Sequence, residues 1–172
     1  FMDHYETALQ NPPLINSPVN ITKVEVWVTS RLGQTNNTRN IVAFMDLGEA
    51  QYHDTSGFIF PGPETLLPSA SPFDTDYVDA SNSLYEKLLT SYDDIRDVYK
   101  VNTTMSATSL DAAKDYEKVE SARLLSASEY KLNNQLGFIS LNASLSNDEV
   151  LAVSFQYTYN GKTYQVGEFA NG

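Results

Sequence analysis

Alternation of apolar and polar side chains along the two ends of this chain limits what it can fold into more than any other feature. Residues 21–29 (ITKVEVWVT) place Val24, Val26 and Val28 on one side and Glu25, Trp27 and Thr29 on the other. Residues 150–159 (VLAVSFQYTY) alternate in the same way, and Asn160-Gly161 then turns the chain back into residues 162–169. A period of two with β-branched and aromatic residues describes a strand. Asn-Gly suits a two-residue hairpin turn, because both central residues need positive φ. Residues 39–47 (RNIVAFMDL) supply another strand beyond the polar loop 32–38. An N-terminal hairpin is therefore expected, with 21–29 and 39–47 antiparallel. Val24, Val26 and Val28 are its expected buried face, with Glu25 outside. Trp27 falls on the other face, either covered by the following segment or left as an interface patch.

The period changes in the middle of the chain. Leu84, Leu88, Tyr92, Ile95 and Tyr99 recur at spacings of 4, 4, 3 and 4, which predicts a helix over 83–99 that packs Leu84, Leu88, Tyr92 and Ile95 on the sheet. Ser83 and Glu86 have the spacing of a capping box. A weaker helical stretch around 109–116 extends this into a helical insertion over 83–116. Strands are expected again at 118–125, 129–133 and 138–141, the last two joined by Asn134-Gln135-Leu136-Gly137. Residues 1–20 are a lead-in marked by Pro12, Pro13 and Pro18, with a helical turn near residues 5–9. Residues 50–80 form a Pro-rich surface excursion carrying Pro61, Pro63, Pro68 and Pro72, with a short edge strand at 57–60. Strands, then helix, then strands argue for an α+β fold, with antiparallel hairpins at both ends and an inserted helical segment.

A length of 172 residues with 41% hydrophobic side chains fits one soluble domain, residues 1–172, with a core of its own. The chain opens Phe1-Met2-Asp3 and reads as a piece of a much larger protein, with no signal peptide and no apolar run long enough for a membrane helix. Eleven Lys+Arg against 22 Asp+Glu give a net charge of −11. That charge repels nucleic acid and anionic lipid and leaves neutral surfaces, basic surfaces or divalent cations as partners. Zero cysteines exclude disulfides, thiolate metal sites and cysteine catalysis.

Few residues carry the pattern of a reaction. His4 and His53 are the two histidines, and neither has a ligand-spaced partner. No G-x-S-x-G elbow, G-x-G-x-x-G or phosphate-binding loop occurs. Asp74, Asp76 and Asp79 form the one candidate calcium loop. An EF-hand needs an oxygen ligand at the fifth position and glycine at the sixth, where this chain has Val78 and Asp79. Solvation and negative charge ahead of a helix N-terminus explain them better. Asp93, Asp94 and Asp97 with Arg96 read as a solvated face. Phe155, Tyr157, Tyr159, Tyr164 and Phe169 are either a sugar-stacking platform or half of a sheet core. Alternation over 150–159 also suits an outer-membrane barrel strand, although the capped helix and the polar excursion favour a soluble piece. Residues 20–22, 36–38, 102–104 and 142–144 match N-glycosylation sequons, which would mean nothing if the chain were bacterial. No catalytic, cofactor-binding or metal residue is assigned, and no enzymatic activity is expected.

Five phrases resemble one family when taken in order. They are residues 20–31 (NITKVEVWVTSR), 38–49 (TRNIVAFMDLGE), 115–125 (DYEKVESARLL), 128–141 (SEYKLNNQLGFISL) and 149–169 (EVLAVSFQYTYNGKTYQVGEF). They resemble the SprA/Sov family, giant outer-membrane proteins of Bacteroidota implicated in gliding motility that form the translocon of type IX secretion. The resemblance implies a non-catalytic structural or interaction domain of that machinery, in a soluble portion facing the periplasm or the cell surface, without direct membrane insertion. It implies contacts with other domains of the same translocon and with secreted or accessory proteins. None of the phrases is catalytic, so no residue role is carried over. The alternative is a surface ligand-binding module that takes carbohydrate through its aromatics.

Overall fold

A computed structural model describes residues 8–30, 38–44, 84–108, 110–159 and 161–170. Among these residues the backbone is mostly antiparallel sheet, in strands β1 (Val19–Val28), β2 (Thr38–Phe44), β3 (Tyr116–Leu124), β4 (Tyr130–Asn133), β5 (Phe138–Leu141), β6 (Leu151–Tyr159) and β7 (Lys162–Val166). The helices are short: α1 (Leu84–Ser91), a 3-10 turn (Asp93–Arg96) and α2 (Val101–Met105). No helix of the described residues is long and apolar enough to cross a membrane. The chain divides into two compact units, one holding β1 and β4 to β7, the other β2, α1, α2 and nearly all of β3.

In the first unit β1 lies antiparallel to β6, from Val19 opposite Tyr159 to Val28 opposite Leu151. β6 pairs with β7 from Phe155 opposite Val166 to Tyr159 opposite Lys162, and Gly161 takes φ +75°, so the expected C-terminal hairpin forms. The second edge of β1 is also used. The N–H of Leu125 reaches the Val26 carbonyl at 2.8 Å, and the Ile21 N–H reaches the Asn134 carbonyl at 2.9 Å. β4 and β5 form the expected hairpin, with Asn133 opposite Phe138. Its turn is tied by Asn133 Oδ1, which accepts from the N–H groups of Gln135 and Leu136.

A bulge at Thr22 shifts the β1 register: Ile21 faces Tyr157, while Lys23 faces Gln156. One extra residue reverses the alternation, so Val19 and Ile21 come to share a face with Val24, Val26 and Val28. Tyr157 and Tyr164 lie on this same face and are buried, as are Val19, Ile21, Val26 and Val28, with Val26 wholly excluded from solvent. The opposite face carries Lys23, Glu25 and Trp27.

Two expectations change here. The N-terminal hairpin of 21–29 with 39–47 does not form: β1 takes β6, and β2 takes β3. Two alternating strands show which face each buries but not which strand lies alongside, and β1 is hydrogen-bonded along both edges by residues 125–159. Glu25 is buried, not outside, at 7% exposure, and Trp27 is buried beside it at 6%. The helical turn expected near residues 5–9, the edge strand at 57–60, the excursion 50–80 and Ser83 lie outside the described residues, wholly or in large part.

In the second unit β2 pairs antiparallel with β3, from Thr38 opposite Arg123 to Phe44 opposite Tyr116. A bulge on β3 opposite Asn40 is held by the Ser121 N–H on Asn40 Oδ1 at 2.9 Å, with Ser121 at φ +55°. Val101, Met105, Leu110 and Tyr116 make the core, and Val42, Phe44, Leu88 and Ile95 pack against it. Leu88 and Ile95 therefore face one core, as their spacing implies, but a core made mostly by α2 and Leu110, with Tyr116 as its strand member. The helix over 83–99, however, stops at Ser91. Tyr92 leaves helical backbone at φ −138°, and Asp93 and Asp94 start a new turn. Serine, threonine and aspartate disfavour helix interiors, whereas aspartate favours helix starts. Tyr99 falls off the buried stripe, at 92% exposure.

No helix forms near 109–116 among the described residues. The later helix is α2, at 101–105, and Tyr116 already opens β3. The Asp115 carboxylate bonds the Asp111 N–H at 2.7 Å, and Ala113 sits at φ +63°. An aspartate that satisfies backbone donors locally offers the chain an alternative to helix.

Candidate functional site

The strands of the first unit place a polar row on the face opposite the valines. Glu25 on β1 stands directly across from Ser154 on β6, and Gln156 stands across from Lys23 on one side and Gln165 of β7 on the other. Glu25, Ser154 and Gln165 are all buried. Buried polar groups need partners, and here most of the partners come from the segment that follows β7.

After Val166 the chain folds back over this row. Gly167 takes φ +74°, and its ideal Cβ position lies 3.0 Å from the Ser154 Cβ, so its backbone rests directly on Ser154. Gln165 Nε2 donates to the Gly167 carbonyl at 2.9 Å. The Ala170 N–H donates to Glu25 Oε2 at 2.8 Å, and Trp27 Nε1 donates to the same oxygen at 3.4 Å. The Lys23 ammonium lies 3.9 Å from the centroid of the Phe169 ring, a cation–π arrangement. Ser154 Oγ is buried without a hydrogen-bond partner.

Of the aromatic stripe, Tyr157 and Tyr164 are buried, while Phe155, Tyr159 and Phe169 are half-buried. Tyr157 and Tyr164 stack at 5.3 Å between centroids, and Phe155 approaches Tyr157 at 6.1 Å. Both tyrosines are buried and present no open face for a sugar ring. Phe169 takes Lys23 instead. On the second unit Asp94 holds Lys100 in an exposed ion pair at 2.8 Å. The hydrogen bond to Asp94, and then its charge, raise the Lys100 pKa above the ordinary lysine value. This cluster behaves as a solvated face.

His4, His53, Asp74, Asp76 and Asp79 lie outside the described residues. Among the described residues no group of three or more histidine or carboxylate side chains could hold a metal ion. Sequence reasoning missed Glu25, Ser154, Gln165 and Gly167. The available signal was the glycine just past a strand, which marks a sharp change of direction; nothing local marked Glu25 as buried. No protein-family model matches the chain, and no curated protein matches it closely enough to count as a relative.

Proposed function

We propose that this chain is a non-catalytic structural and interaction segment of an outer-membrane protein of the type IX secretion and gliding-motility machinery. One observation carries the proposal. The five family-like phrases, at 20–31, 38–49, 115–125, 128–141 and 149–169, fall on the seven strands of the described residues. The likeness thus concentrates in the β framework and not in the connecting segments. Within this reading the helices between β2 and β3 are an insertion, and the fold is α+β. The segment acts in a soluble portion of the protein, on the periplasmic side or at the cell surface, and touches other domains of the translocon and its secreted or accessory proteins.

The mechanism is scaffolding. Strands tied along both edges hold their shape, and a surface of net charge −11 favours basic partners. Deleting the equivalent of residues 20–169 from the full-length protein should impair export of type IX cargo. Normal export by that strain, with the shortened protein confirmed in the outer membrane, refutes the role. Point changes at His4, His53, Asp74, Asp76 or Asp79 should leave export intact; a single one that abolished it without unfolding the chain would favour a metal-dependent or catalytic role.

A further inference from the structure

We draw no further inference here: the strongest candidate, the apolar patch on the valine face of the first unit where β6 presents an exposed Val153 between half-buried Leu151 and Phe155, carries nothing because nothing in the structure shows what covers it.

Discussion

Gly161 and Gly167 share the same backbone twist, at φ +75° and +74°, but sit in different surroundings. Nothing lies within 4 Å of a Cβ added at Gly161, whereas one at Gly167 meets Ser154 at 3.0 Å. Alanine at Gly161 therefore meets only left-handed strain, about 1 kcal/mol, while alanine at Gly167 adds a steric clash and should cost about 2–3 kcal/mol. Urea unfolding read by Trp27 fluorescence separates the two, and equal costs would mean the approach to Ser154 is not tight. Ser121 adopts left-handed backbone at a bulge, so Ser121→Gly should stabilise by up to about 1 kcal/mol in the same assay. The valine face was legible because alternation reports it directly. The burial of Glu25 was not, because the donor that accompanies it, Ala170, lies 145 positions away. Val26→Asp places an unpaired charge at a site with no solvent contact and should cost several kcal/mol in thermal unfolding.

The bulge at Thr22 decides which way the start of β1 faces. Deleting Thr22 would restore strict alternation and turn Val19 and Ile21 away from the buried tyrosine face or force the whole strand to slip. Either outcome buries polar groups or exposes apolar ones, so the deletion should lose cooperative unfolding, whereas Thr22→Ser should not. In the second unit Met105 is fully buried, and Met105→Ala should cost about 2–5 kcal/mol by chemical denaturation. Tyr99→Ser, at an exposed position, should change stability by less than about 0.5 kcal/mol. The spacing of Leu88 and Ile95 reported their common side even though the helix breaks between them. The break itself was written in Thr90-Ser91 and Asp93-Asp94, residues that suit helix ends better than a helix interior. Strand existence was similarly legible, and strand partnership was not: period-two patterning names a face, while pairing depends on residues far along the chain.

At the scale of the whole molecule, a charge of −11 makes encounters electrostatic. Association with a partner that presents a basic face should slow at least about tenfold between roughly 0.01 and 0.5 M salt. A salt-independent rate would place the contact on apolar surface instead. The order of the strands has a temporal consequence as well. Thr22 bonds Gln156 across 134 positions, and one edge of β1 finds its ladder in β6. Closing so long a loop is entropically costly and makes such folds slow. A ribosome delivers β1 long before β6, so while the residues between them are made one edge of the strand at the heart of the first unit has no ladder to join. A nascent chain stalled before residue 150 should leave Trp27 open to quencher, and extension past residue 170 should seal it. Folding of the first unit thus waits on the emergence of β6 and β7.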